Sequence, residues 1–72
     1  MPGPLVKVKL LPRGDELLVE ANTVRELLER VVNELGIEGN VYVLVNDVLV
    51  TDYSTALKQG DRVVVVEEFL GG

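Results

Sequence analysis

The sequence contains no cysteine and no histidine among its 72 residues. Without cysteine, the chain can form no disulfide, no thiolate nucleophile and no thiolate metal site. Without histidine, it lacks the usual base near neutral pH and the commonest metal ligand, so Ser54 and Thr55 have no histidine to take a proton. We therefore expect a protein that is not an enzyme and that holds no metal.

Basic residues and long apolar runs are also scarce. Seven Lys and Arg stand against twelve Asp and Glu, which gives a net charge of −5 at pH 7. This excess repels nucleic-acid phosphate and anionic lipid, and it favours positively charged partners. No stretch approaches the ~20 apolar residues that span a bilayer, and the N-terminus lacks a leader pattern. We expect a cytoplasmic protein without nucleic-acid or membrane partners.

The length and the apolar content predict one small domain over residues 1–72, with a flexible diglycine tail at residues 70–72. Strand patterns occur at residues 5–10, 16–21, 41–46, 48–50 and 62–69. In the first of these, Val6 and Val8 alternate with lysines, a period of two that puts one strand face on a core and the other in water. The last contains four consecutive valines, which is typical of a central strand.

One helix is predicted at residues 24–35. Thr23 and Glu26 form a capping-box pair at its start, and Gly36 suits its end. Its apolar residues form one continuous stripe: Val24, Leu27, Leu28, Val31, Val32 and Leu35. One stripe packs on one apolar sheet face, and right-handed crossovers place the last strand beside the first. The sequence therefore predicts an α+β, ubiquitin-like β-grasp fold, a mixed four- to five-stranded sheet packed on one main helix.

The strand phases predict an apolar patch on the sheet face that lies away from the helix. If the odd-numbered valines of residues 41–45 and 63–65 face the helix, their neighbours face outward. We predict that this face binds a protein partner, with Glu67 and Glu68 offering charge to a basic groove. The predicted partner-binding residues are Tyr42, Leu44, Val64, Val66, Phe69 and Leu70.

The sequence ends in Gly71 and Gly72, directly after the predicted central strand. Because glycine has no Cβ, an extended diglycine can pass through a narrow active site where a side chain would clash. An ordinary frayed terminus is the alternative explanation, since chain ends are often disordered.

Three segments, "VLVNDVLV", "STALKQGDRVVVV" and the terminal "GG", resemble the small sulfur carriers ThiS, of thiamin biosynthesis, and MoaD, of molybdopterin biosynthesis, which are relatives of ubiquitin. The resemblance runs from Lys7 to Gly72. The chain lacks the aromatic-rich insertion and the proline before the tail that are usual in MoaD-like chains. It is therefore more similar to ThiS or to general ubiquitin-like carriers.

The resemblance implies that a ubiquitin-activating-type enzyme uses ATP to adenylate the carboxyl of Gly72, with Gly71 as its threading neighbour. Sulfur then replaces one oxygen to give a thiocarboxylate. The implied partners are that adenylating enzyme and the sulfur-donor and sulfur-accepting enzymes of thiamin, molybdopterin or tRNA thiolation pathways. No cofactor is bound. The alternatives are a protein modifier joined through Gly72 to lysines, and a non-covalent β-grasp interaction domain.

Overall fold

Each segment predicted to be a strand or a helix forms one in the computed structural model, which describes residues 3–68. The elements are β1 (Leu5–Leu11), β2 (Asp15–Glu20), α1 (Val24–Leu35), β3 (Val41–Val45), β4 (Val48–Val50) and β5 (Arg62–Glu67). Their ends differ from the predicted ends by one or two residues at most, and the predicted strand end at Phe69 lies outside the described residues.

The five strands form one mixed sheet in the order β2-β1-β5-β3-β4. β1 and β5 run parallel, with Lys7 aligned to Arg62 and Leu11 aligned to Val66, while the other neighbouring pairs are antiparallel. The first and last strands of the chain therefore lie side by side in the middle of the sheet. This arrangement confirms the predicted β-grasp topology.

The core lies between α1 and one face of the sheet. Val6 and Val8 of β1 are fully buried, and the lysines between and after them are exposed, as their alternation predicts. On the helix, the predicted stripe is confirmed: Val24, Leu27, Leu28 and Val31 are buried, and Val32 and Leu35 pack against the core. Within the described residues, no helix has the length and apolar character that crossing a membrane requires.

The two ends of α1 are held by the residues that the sequence predicts, with one change. Thr23 Oγ1 accepts a hydrogen bond from the Glu26 N–H at 3.3 Å, but the Glu26 carboxylate accepts from the Asn22 N–H instead of the Thr23 N–H. The start of the helix is also joined to the loop before β5, where the Val24 N–H donates to the Thr55 carbonyl at 3.1 Å. Gly36 ends the helix with a φ of 64° and donates to the Val32 carbonyl.

The stretch "STALKQGD", residues 54–61, leads directly into the central strand β5 and is held in place by hydrogen bonds. Its backbone joins the start of the helix, where Leu57 N–H donates to the Asn22 carbonyl at 2.9 Å. The Asp61 carboxylate accepts from the Lys58 N–H at 2.8 Å and from the Asn46 side-chain amide at 3.1 Å, so it ties this stretch to the β3–β4 turn. These two hydrogen bonds hold the pKa of Asp61 below its usual range.

The β3–β4 turn consists of Asn46 and Asp47, which both have positive φ, 50° and 71°. Two consecutive residues of positive φ fit the turn that best matches the twist of a two-residue hairpin, and Asn and Asp adopt this region more readily than other non-glycine residues. The turn aligns Leu44 with Leu49 across β3 and β4.

Replacing Leu27 by Ala should destabilise the fold strongly, because Leu27 is fully buried at the centre of the helix stripe. Large-to-small changes at such sites cost about 2–5 kcal/mol in the free energy of unfolding. Urea denaturation followed by circular dichroism measures this loss. Glu29→Ala, on the exposed face of the same helix, is the matched control and should stay within about 0.5 kcal/mol. Equal midpoints for the two variants would contradict the assigned helix face.

Candidate functional site

The predicted patch exists on the sheet face opposite α1. Tyr42 is aligned with Val66, and Leu44 is aligned with Val64, so these four side chains stand side by side on β3 and β5. Tyr42 is 50% exposed, while the other three are partly buried by one another. Four of the six predicted partner-binding residues are therefore contiguous on one surface.

Two members of this surface are absent from the sequence-based prediction. Leu11, at the end of β1, is aligned with Val66, and Leu49 on β4 is aligned with Leu44. Leu49 is 56% exposed. The alternation of β1, continued by one more residue, could have identified Leu11, whereas three residues of β4 carry too little pattern to fix a phase. We define the apolar patch as these six residues: Leu11, Tyr42, Leu44, Leu49, Val64 and Val66.

The last residue of β5, Glu67, points toward the helix side of the sheet and is 6% exposed. Arg13 neutralises it: Nε donates to Oε2 at 3.3 Å, and Nη2 lies 2.9 Å from Oε1 as an ion-pair contact. The prediction that Glu67 offers its charge to a basic partner is therefore wrong. The carboxylate is buried and is already paired within the fold.

Arg13 also binds the end of the helix. Its Nη1 donates to the Leu35 carbonyl at 3.1 Å, and α1 has no basic residue of its own in its last turn. A cation there complements the partial negative charge of the helix C-terminus. One arginine from the β1–β2 turn thus connects the end of α1 to the end of β5.

Glu68 is held on the opposite side of the strand. Its N–H donates to the Asn40 carbonyl at 3.0 Å, and its carboxylate accepts from the Tyr42 hydroxyl at 3.0 Å. This hydrogen bond, with the negative charge beside it, raises the pKa of Tyr42 above its ordinary value. Glu67 and Glu68 therefore lie on opposite sides of the sheet, and both are fixed by side-chain contacts where β5 ends.

The remaining predicted site residues, Phe69, Leu70, Gly71 and Gly72, lie outside the described residues. They follow Glu68 directly in the sequence, so the chain leaves the described part of the fold beside the apolar patch. Within residues 3–68, no three His, Cys, Asp or Glu side chains are grouped as metal ligands would be.

Glu68→Gln should lower the pKa of Tyr42, because it removes the charged acceptor that favours the protonated hydroxyl. A raised pKa means that the Tyr42–Glu68 contact stabilises the fold below the tyrosine pKa of the unfolded chain and is lost as pH rises through the folded value. Ultraviolet titration in a Tyr53→Phe background isolates Tyr42, since the chain has two tyrosines. Glu34→Gln is the control. An unchanged titration of Tyr42 in Glu68→Gln would contradict the contact.

Two solved structures share this fold over nearly the whole chain. One, titled Caldiarchaeum subterraneum ubiquitin, matches with a TM-score of 0.76 and 15% identity, over 96% of this chain and 98% of that chain. The other is the protein–protein complex of subunits 1 and 2 of molybdopterin-converting factor from Helicobacter pylori 26695. A chain of that complex matches with a TM-score of 0.67 and 26% identity, over 94% of this chain and 99% of that chain.

No curated protein matches the sequence. The sequence model of the ThiS family matches residues 8–72, which include most of β1, the patch strands β3, β4 and β5, and the terminal glycines. The family comparison and the fold agree with the resemblance carried by the motifs. The chain belongs to the ThiS family.

Proposed function

We propose that this protein is a sulfur carrier and that its reactive group is the carboxyl of Gly72. In the proposed reaction, a Gly72 carboxylate oxygen attacks the α-phosphorus of ATP on an adenylating enzyme, and pyrophosphate leaves. Hydrosulfide supplied by a donor enzyme then attacks the acyl carbon and loses its proton, and AMP leaves with one of the original carboxylate oxygens. The resulting thiocarboxylate is the group that an acceptor enzyme consumes.

The observation that carries this proposal is the fixed end of β5, four residues before Gly72. Arg13 holds Glu67 on one side of the strand, while Tyr42 and Asn40 hold Glu68 on the other. Four residues span at most about 14 Å, so a partner that docks beside this end has the carboxyl within a short, bounded reach. Because the position of Glu68 is fixed, the segment that starts there can deliver its terminal carboxyl accurately to a catalytic site.

The proposed partner surface is the apolar patch beside this strand end. The similarity of the whole chain to a solved chain from a complex of molybdopterin-converting factor subunits supports a protein partner for a fold of this kind. A contiguous apolar surface next to the reactive segment is also the arrangement that a docking interface requires. The adenylating enzyme, a sulfur donor and a sulfur acceptor would use this surface in turn.

Deleting Gly71 and Gly72 should abolish adenylation while leaving the melting temperature almost unchanged. The deletion shortens the reach by up to about 7 Å, and misplacement by ~1 Å already costs on the order of a hundredfold in rate. ATP–pyrophosphate exchange, with the adenylating enzyme encoded in the same genome, measures the effect. The control replaces the exposed Glu29 of α1 by Ala and should exchange like the parent. Equal exchange by the truncated protein would exclude Gly72 as the reacting residue.

Intact mass spectrometry of protein from its native cells tests the second step. A mass gain equal to the exchange of one oxygen for one sulfur, located at Gly72 by fragmentation, supports the carrier. The same spectrum verifies that Gly72 is the terminal residue. Diglycine remnants on lysines of other proteins would instead identify a protein modifier, and neither product would favour a non-covalent interaction domain.

Leu44→Glu should weaken binding to the adenylating enzyme tenfold or more, about 1.4 kcal/mol, because it puts a charge in the middle of the apolar patch. The fold should persist, since Leu44 lies on the sheet face away from the core. Isothermal calorimetry gives the affinity, and a thermal melt verifies folding. Val48→Glu changes an exposed valine outside the patch and serves as the control. Equal affinities for the two variants would assign docking to another surface.

A further inference from the structure

Three cations share the open sheet face with the apolar patch. Lys7 and Lys9 on β1 and Arg62 on β5 are all exposed there, and we refer to them as the cation row. Lys7 is aligned with Arg62 on the neighbouring parallel strand, and Lys9 is aligned with Val64 of the patch. Three of the seven basic residues of an acidic chain therefore lie on one face.

Folding does not account for the cation row. Like charges on neighbouring strands oppose each other, so the alignment of Lys7 with Arg62 costs stability. Within residues 3–68, neither lysine forms an ion pair, and Arg62 has only a distant contact with Asp47 at 3.8 Å. Lys9 is aligned with Glu16 on β2, which offsets part of its charge. Lys7, which is aligned with Leu18 on one side and with Arg62 on the other, has no carboxylate partner in this part of the chain, and this points to a counter-charge from outside the chain.

The cation row and the apolar patch form one continuous surface with two chemically different ends. Val66, near the C-terminal end of β5, lies four residue steps from Arg62, a distance of about 13 Å along the strand. Lys9 is aligned with Val64, which is aligned with Leu44, so the cation row and the apolar patch are adjacent in the middle of the sheet face. A single protein partner of ordinary interface size covers both ends together.

We propose that the partner that docks on this face carries acidic side chains opposite the cation row and an apolar surface opposite the apolar patch. This inference rests on the proposed function, because the partner is the adenylating enzyme that receives Gly72. With a net charge of −5, the chain as a whole repels an acidic partner surface. The cation row attracts such a surface locally, over β1 and β5. Encounter is thereby steered to the orientation in which the end of β5 points into the enzyme.

The same features disfavour nucleic acid as the occupant. Phosphate binding draws affinity from many cations, whereas this face has three, beside six apolar or half-apolar side chains and within an acidic chain. Glu16 and Glu20, on the exposed side of the neighbouring strand β2, border the cation row, so the attraction of this face for any negative group is confined to β1 and β5. A protein surface that combines apolar and acidic groups fits this composition better than a phosphate backbone does.

Lys7→Glu provides a test in which binding to the adenylating enzyme should weaken while the stability of the fold is kept or raised. The new carboxylate faces Arg62, so the melting temperature should equal or exceed that of the parent. The association rate constant with the adenylating enzyme, measured by stopped-flow fluorescence at about 0.05 M NaCl, should fall about three- to tenfold. The parent rate should decrease when NaCl is raised to about 0.3 M, and the variant rate should change less. Arg30→Glu, on the helix, alters net charge equally and is the matched control.

Each outcome separates this inference from the proposed function. The protein lacking Gly71 and Gly72 retains the docking face, so it should associate at the parent rate although it cannot be adenylated. Association of Lys7→Glu at the rate of Arg30→Glu overturns the acidic-partner inference, even when the parent supports ATP–pyrophosphate exchange. Binding without exchange by the full chain counts against the proposed function alone. Lys7-dependent binding of a random single-stranded oligonucleotide also overturns the inference, because it assigns the cation row to phosphate.

Discussion

The parallel pairing of β1 with β5 is the constraint on which the rest of this fold depends. It joins the two strands most distant in sequence, so every element between them must leave and return to the middle of the sheet. The helix joins β2 to β3, which run in the same direction on either side of the central pair. It crosses one face of the sheet because such a connection requires a crossover. Within residues 3–68, no element covers the opposite face, and the apolar patch lies on it. The same pairing places the end of β5 beside that patch.

The end of β5 is fixed by two different electrostatic contacts, one on each side of the sheet. On the core side, a buried carboxylate pairs with Arg13, which also binds the last turn of the helix. Because this carboxylate is buried, separating it from the partly exposed Arg13 would leave an unpaired charge inside the fold, which is strongly disfavoured. On the open side, the Tyr42 hydroxyl supplies a neutral donor to Glu68. The strand end is thus fixed from both faces, and the polar contact on the open side lies beside the surface proposed to bind partners.

The net charge of this protein does not describe the charge of the surface that a partner would contact. The net charge predicts a preference for basic partners, yet the open face presents the cation row. The difference arises because the acidic residues of α1 lie on the other side of the sheet, while Glu16 and Glu20 on the open side lie on the neighbouring strand β2. Glu67 illustrates the same point, since its charge counts toward the total but is cancelled inside the fold. A partner responds to the potential at its contact surface, which only the arrangement of the strands defines.

The sequence by itself determined the elements, because periods of two and of three to four residues are local properties of the chain. The alternation at Val6 and Val8 and the stripe through Leu27 predicted their strand, their helix and their buried faces correctly. The four valines of β5 also indicated its central position. Only the tertiary structure decided which distant side chains meet: Arg13 with Glu67, Leu11 and Leu49 with the apolar patch, and Lys7 with Arg62. Such contacts follow from strand register and turn geometry summed over the whole chain, and no local pattern carries that information.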